Sequence, residues 1–294
     1  MRSRHDRGRG ALSLAVAGVL ALGGCAATPG TDPLAQPTVP AGVSVELAQL
    51  RADVAPRQAQ VRVVNRSAEQ LVIGDVRVQD ARFDGPATRV VAGRTSTVRA
   101  GGGVDIRVQL PPVSCGASDE GQPVVVLEVI EESGTHEIEA AATDPLGFVA
   151  PLHARECLRE RLAAAATLAF TGFQASAPGQ PAALELTVTP AGGAAATIAG
   201  VQGTNLLDFG SATVDGAFPL DLEVGEGEET PIVITLPIVP FRCDPHAVQE
   251  DKRGTIFDVR VEVAGEPGEI ELFVGDELRG RILSWVAAWC GFGG

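Results

Sequence analysis

Short alternations of apolar and polar residues run through most of the chain. Ile106–Leu110 and Val259–Val263 place apolar side chains at every second position, which is the period of a β-strand with one buried face. Turn-forming residues separate such segments at intervals of roughly 8–12 residues, as they do in sandwiches of antiparallel sheets. Since no long helical pattern lies between successive strands, the sequence disfavours a parallel α/β sheet.

Two hairpins are predicted at corresponding places in the chain. Each consists of two alternating segments around a turn. The segments are residues 124–130 and 136–140 around a turn at 131–134, and residues 258–263 and 269–274 around a turn at 264–268.

The hairpins belong to a longer repeat of short motifs in a fixed order. The matched pairs are Ala55-Pro56 with Ala177-Pro178, Leu110-Pro111 with Leu236-Pro237, Cys115 with Cys243, Asp144 with Asp276, and Cys157 with Cys290. Their separation grows slowly along the chain, as expected for a duplicated domain with small loop insertions. We therefore predict a mainly β protein with two tandem Ig-like antiparallel β-sandwich domains, at residues 43–163 and 164–294.

Each predicted domain ends in a pattern typical of a short helix. Asp144 and Asp276 are suitable N-cap residues, and Pro145 suits the first helical position. In the second copy Leu278, Ile282 and Trp285 share one helical face. Pro151 interrupts the first copy, so we expect that helix to be short or to restart near Leu152.

The N-terminus has the pattern of an export signal. Arg2, Arg4, Arg7 and Arg9 precede an apolar run from Ala11 to Leu22. The run is too short to span a membrane, which takes about 20 residues. Leu22-Gly23-Gly24-Cys25 follows it and resembles the bacterial lipobox, which implies removal of residues 1–24 and attachment of diacylglycerol and palmitate at Cys25.

The lipobox predicts an exported protein held at the outer face of the cell membrane by its lipid. Residues 25–42 are rich in Pro and are predicted to form an extended tether. Apart from Cys25 four cysteines remain, with three possible pairings. The duplication favours Cys115–Cys157 and Cys243–Cys290, and export favours disulfide formation.

The charge balance excludes one class of partner. The chain has 37 acidic and 23 basic residues, a net charge of −14, and a single Lys at position 252. Removal of residues 1–24 takes away four Arg and one Asp and leaves a net charge of −17. Nucleic-acid binding needs clustered cations, so we expect no nucleic-acid partner.

The densest group of polar residues lies between two predicted strands, at residues 242–254. Asp244, His246, Glu250 and Asp251 offer metal-ligand chemistry, and Arg242, Lys252 and Arg253 offer an anion site. The alternative is structural, because Asp-Pro starts a turn and neighbouring charges can pair with one another. Catalytic signatures such as Gly-x-Ser-x-Gly, the P-loop and His-Glu-x-x-His are missing from the chain.

The Arg-Cys-Asp-Pro-His…Glu-Asp-Lys-Arg-Gly pattern, the C-terminal Trp-x-x-x-Trp-Cys and the lipobox are similar to exported lipoproteins of high-GC bacteria. That resemblance implies no particular activity and no cofactor besides the attached lipid. We therefore hypothesise a non-enzymatic binding or scaffolding module with an envelope protein as partner. The alternative is a ligand-binding or metal-binding protein, or a hydrolase, with a site around His246.

Overall fold

The computed structural model describes residues 39–118, 121–250 and 252–292, with the side chains of residues 247, 249 and 250 left out. The predicted signal peptide, the lipid site at Cys25, most of the tether and Asp251 lie outside the described residues. None of the helices in the described ranges is long and apolar enough to cross a membrane. Residues 39–165 are called the first half below, and residues 166–292 the second half.

Strands are the main regular elements of both halves. The elements of the first half are β1 (Val43–Ala48), α1 (Arg51–Val54), β2 (Gln58–Asn65), β3 (Leu71–Gln79), β4 (Ala87–Arg89), β5 (Ser96–Val98), β6 (Gly103–Gln109), β7 (Val124–Glu131), β8 (Gly134–Ala141) and α2 (Val149–Ala165). Those of the second half are β9 (Ala166–Gln174), β10 (Ala182–Pro190), β11 (Ala196–Gln202), β12 (Leu207–Asp208), β13 (Ala217–Val224), β14 (Ile232–Pro240), α3 (Pro245–Glu250), β15 (Ile256–Val263), β16 (Glu266–Phe273) and α4 (Asp276–Cys290).

Strand pairing follows the same scheme in the two halves. β1-β2-β6 and β3-β7-β8 in the first half correspond to β9-β10-β14 and β11-β15-β16 in the second, and all named strand pairs are antiparallel. In the first half β4 pairs with both β3 and β6 and joins the strands into one eight-stranded sheet. In the second half β12 pairs with β14 and β13 with β11, leaving two four-stranded sheets. The prediction of a mainly β, antiparallel architecture is confirmed.

Alternation along the strands produces two clusters of buried apolar residues. Val61 of β2 lies opposite Ile106 of β6, and both side chains are buried in the first cluster. Val259 of β15 lies opposite Ile270 of β16, and both are buried in the second. The period of two therefore separates core from solvent in each half, as the sequence pattern predicted.

Helix α2 belongs to both clusters. Val149 and Leu152 are buried in the first, whereas Leu158 and Leu162 are buried in the second. A Cβ added at Gly268 of β16 would lie 2.5 Å from Leu158 Cδ2, so the helix packs closely on this strand. The predicted division at residues 163 and 164 stays a prediction, since α2 continues past it to Ala165.

The two long helices differ from their predicted form. They span 17 and 15 residues and are not short. Asp144 is not the N-cap of α2, which begins at Val149, although its Oδ2 accepts a hydrogen bond from the Val149 N–H at 3.0 Å. Pro151 lies in the first turn, where the missing N–H would have no intrahelical partner, and it does not break the helix. Asp276 is the first helical residue of α4 and follows Gly275.

Both predicted hairpins form, with shorter turns than expected. β7 and β8 pair as far as Glu131 and Gly134, which leaves two turn residues between them. β15 and β16 are connected by Ala264 and Gly265, which both have positive φ (55° and 78°). A turn of two residues with positive φ has a backbone twist that matches the twist of the paired strands. The strands therefore continue closer to the turn than the Gly and Pro residues of 264–268 suggest.

The predicted disulfides Cys115–Cys157 and Cys243–Cys290 are both present. Each connects the segment after a corresponding strand, β6 or β14, to the long helix that ends its half. The pairing inferred from the duplication is therefore confirmed.

Gly200→Ala should destabilise the protein by about 1–3 kcal/mol. Gly200 lies where the pairing of β11 with β13 and β15 shifts, and an added Cβ would lie 2.7 Å from the backbone oxygen of Phe218. The matched control is Gly280→Ala on α4, where an added Cβ meets nothing within 4 Å. That change should stabilise by about 1 kcal/mol through helix propensity. Urea unfolding measures both, and equal midpoints would contradict the packing at Gly200.

Candidate binding groove

The predicted binding loop, residues 242–254, connects β14 to β15 and is held by a disulfide to α4 and by hydrogen bonds of its own. Cys243 is bonded to Cys290 of α4. Asp244 Oδ1 accepts a hydrogen bond from the His246 N–H at 3.0 Å, and the Asp244 carbonyl accepts one from the Val248 N–H at 3.0 Å. These bonds start α3, from which Val248 is buried in the second core cluster.

The proposed ligand residues that the structure describes in this loop lie at the surface. Arg242, Asp244, His246 and Lys252 are exposed, and Arg253 Nη2 lies 2.8 Å from Glu271 Oε1 on β16. Asp251 and the side chain of Glu250 are outside the described structure. Across the residues that the structure describes, no three His, Cys, Asp or Glu side chains are grouped to hold a metal ion. A ligand, metal or hydrolase site around His246 stays a prediction without support from this geometry.

A groove of about 500 Å³ lies in the first half instead, beside β6. Gln58 and Gln60 of β2 and residues 104–107 of β6 line one side. The other side comes from β4, the start of β5 and the segment between them, at Arg89, Val90, Val91, Arg94 and Ser96. Its volume is in the range of sites that hold a small molecule or a short peptide segment.

Arg89 is fixed at one wall of the groove. Its Nη1 donates a hydrogen bond to the carbonyl of Gly74, and its Nη2 donates one to Ser96 Oγ at 2.7 Å. Burial lowers the pKa of the Arg89 guanidinium from its usual value, and repulsion from Arg94 adds to the shift while Asp75 opposes it. Since an arginine side chain stays protonated at neutral pH, Arg89 contributes an immobilised positive charge.

Arg107 supplies a second cation at the floor. Its Nε lies 3.7 Å from Oδ1 of Asp53, whose side chain is only 1% exposed. Asp53 Oδ2 accepts hydrogen bonds from Gln60 Nε2 at 2.8 Å and from the Leu50 N–H at 3.2 Å. Asp53 therefore orients Arg107, whose side chain remains 61% exposed.

The groove combines positive charge with apolar surface. Arg89, Arg94 and Arg107 outnumber the acidic lining residue Asp105 and the buried Asp53 that Arg107 contacts. Val90 and Val91 are 42% and 53% exposed on the same wall. A net positive, partly apolar concavity on a chain of net charge −14 is suited to an anionic ligand that also carries apolar groups.

Sequence reasoning missed this groove because its walls meet only through strand pairing. The one local signal is Arg89-Val90-Val91-Ala92-Gly93-Arg94, in which two cations flank an apolar pair and a turn residue. Alternation alone would bury one of two adjacent valines. Because β4 ends at Arg89, both Val90 and Val91 lie beyond the strand and are exposed.

No protein-family model and no curated protein matches the chain. Among the solved structures that resemble it is the CupB2 chaperone of Pseudomonas aeruginosa, at 14% identity over 79% of this chain and 97% of that chain, with a TM-score of 0.23. Others are the E. coli chaperone DraB (10% identity, 78% and 95% covered, TM-score 0.21) and a protein of unknown function from Porphyromonas gingivalis W83 (15%, 79% and 99%, TM-score 0.19). With every TM-score below 0.5, these likenesses establish no shared function.

Substitutions in the 242–254 loop should affect stability according to their structural contacts. Asp244→Ala should cost about 1 kcal/mol because it removes the acceptor at the start of α3. Val248→Ala should cost about 2 kcal/mol through lost burial. His246→Ala, at an exposed position, should change the free energy of unfolding by less than about 0.5 kcal/mol. Urea unfolding of the oxidised protein measures all three, and a stoichiometric metal lost on His246→Ala would instead support a site there.

Proposed function

We propose that the chain is a lipid-anchored envelope protein that binds a protein partner without catalysing a reaction. The observation that carries this proposal is the groove beside β6, with three arginines and two exposed valines in one concavity. Apolar residues within a polar rim are the usual composition of a protein-binding surface, in which Arg is enriched. Arg89 and Arg107 are held by neighbouring groups before any ligand arrives, which lowers the entropy lost on binding.

Two tandem Ig-like β-sandwich domains are part of the proposal. In Ig domains the first, second and fifth strands pair in one sheet, and the third, sixth and seventh pair in the other. Each half has one extra strand, so that β6 and β14 come sixth rather than fifth. With that strand set aside, β1-β2-β6 and β3-β7-β8 match this scheme, as do β9-β10-β14 and β11-β15-β16. The repeated pairing supports a duplicated module of the kind that commonly presents binding surfaces outside cells.

The scaffolding part of the proposal rests on α2. One helix buries side chains in both core clusters and is bonded through Cys157 to the segment after β6. Such a connection resists bending between the halves better than an exposed linker does. A partner bound at the groove would therefore be held in a fixed relation to the second half.

Lipid attachment at Cys25 and a location at the outer face of the membrane complete the proposal. The two disulfides support an oxidising compartment. Two acyl chains give stable anchoring where one does not, and the Pro-rich tether would let the folded part stand away from the bilayer.

Lipidation can be tested separately from binding. Cells that express the full chain should incorporate labelled palmitate and retain the protein in the membrane fraction, whereas Cys25→Ser should abolish the label and release the protein. Cys115→Ser, which removes a disulfide-bonded cysteine and leaves Cys25 in place, is the control and should keep the label. Undiminished palmitate incorporation in the Cys25→Ser chain would contradict the anchor.

Partner binding at the groove can be tested by photo-crosslinking in living cells. A photoreactive residue replaces Val91 at the groove wall, and the control replaces Val214, which is 57% exposed in the second half. We expect one envelope protein to be crosslinked from position 91 and not from position 214, with the yield reduced at least about tenfold by Arg94→Glu. Equal crosslinking from both positions, or yields indifferent to Arg94, would argue against the groove as the partner site.

A further inference from the structure

We infer that the groove binds an extended, acidic segment of the partner polypeptide, which adds to the outer edge of β6 as a further antiparallel or parallel strand. The inference rests on the proposed function and specifies the chemistry of its ligand. It follows from the backbone of β6, the charges of the groove and a comparison with the equivalent strand of the second half.

The edge of β6 that faces the groove is open along part of its length. On one side β6 pairs with β2 from Gly103 to Gln109. On the other, β4 covers Val108 and Gln109, and the Val90 N–H donates to the Arg107 carbonyl at 3.0 Å. Within the described parts of the chain, no strand pairs with the remaining outer edge toward Gly103.

The unpaired groups can be assigned from the alternation of the strand. The Leu110 N–H donates to the Arg57 carbonyl, so even-numbered residues of this segment direct their backbone groups toward β2. Arg107 directs its carbonyl to the opposite side, where Val90 is. Asp105, two residues earlier, has its N–H and C=O on that same side, next to the groove. An extended peptide could pair with both groups, as in recognition by β-strand addition.

The side chains of the groove select the charge of that peptide. Arg94 is exposed on the wall and Arg107 is largely exposed on the floor, so both can form charge-assisted hydrogen bonds with carboxylates. Val90 and Val91 offer contacts for apolar residues of the same segment. Since successive residues of a strand point to opposite faces, alternation of acidic and β-branched residues is the pattern that would fit.

The second half provides an internal comparison. β14 corresponds to β6 and is covered by β12 at only two positions, Val239 and Pro240. Its outer edge from Ile232 to Ile238 carries no cation, and Val233 is 59% exposed there. An acidic segment should therefore distinguish the two edges, and Val233 offers a matched control site.

A direct test uses the purified full chain and fluorescent six-residue peptides. We expect the peptide Glu-Val-Glu-Val-Glu-Val to bind in fluorescence anisotropy and Lys-Val-Lys-Val-Lys-Val to fail. Arg94→Glu should weaken binding at least about tenfold, Arg94→Lys by less, and Val233→Asp should leave affinity unchanged. Circular dichroism and the unfolding midpoint confirm that each variant is folded.

Backbone pairing is tested with two N-methylated forms of the acidic peptide, each methylated on one alternate set of amides. A strand pairs through one edge, so only one of the two forms should lose binding. Equal affinities of the two forms would overturn strand addition. Absence of binding at 1 mM peptide, or equal binding of the lysine peptide, would overturn the acidic ligand.

Two other occupants have their own signatures. A dimer that forms with rising concentration and is lost in Arg94→Glu would assign the edge to a second copy of this chain. Dextran sulfate binding more tightly than the acidic peptide, with the same dependence on Arg94, would assign the groove to an anionic polymer. Either result overturns the inference. If the peptides fail while crosslinking at position 91 still captures an envelope protein, the proposed function stands and this inference alone is lost.

Discussion

Burial of one helix in two hydrophobic cores is the constraint on which the arrangement of this protein depends. Val149 and Leu152 at the start of α2 and Leu158 and Leu162 further along it each remove a large apolar side chain from water, worth roughly 1.5–3 kcal/mol apiece. The half-exposed ion pair between Arg161 and Glu266 adds little by comparison. Apolar burial, with Cys157 bonded to the segment after β6, therefore holds the helix and the sheets on either side of it.

The sequence is informative wherever structure follows from local periodicity or from the order of motifs. The alternation in Ile106–Leu110 and Val259–Val263 corresponds to strands with buried odd or even positions, because a pleated strand leaves no other way to bury one face. Cysteine pairing followed from the duplicated order of motifs. The first residue of each helix was harder to predict from the sequence. Asp144 accepts the hydrogen bond from the Val149 N–H although it lies outside the helix, because tertiary contacts of the preceding turn decide where the helix begins.

The candidate site shows where sequence reasoning reaches its limit. High charge density drew attention to residues 242–254, yet the interactions described there are structural, namely the hydrogen bond from the His246 N–H to Asp244 and the Arg253–Glu271 pair. The sequence segments that line the groove have an ordinary composition. The cations of the groove come from separate segments, with Arg89 and Arg94 on one wall and Arg107 on the floor. Only the pairing of β4 with β6 brings them together, and no period or motif encodes which edge a three-residue strand will cover.

The open backbone of β6 has a consequence for how a partner could evolve. Hydrogen bonds to the N–H and C=O of Asp105 are the same for every residue type except proline, so this part of recognition is blind to the partner's sequence. Discrimination would then fall on the arginines and valines of the groove, which contact the acidic and the apolar residues of an extended segment in turn. Partners could therefore exchange Glu for Asp or one β-branched residue for another, and diverge outside the paired segment, and still be recognised by one unchanged groove.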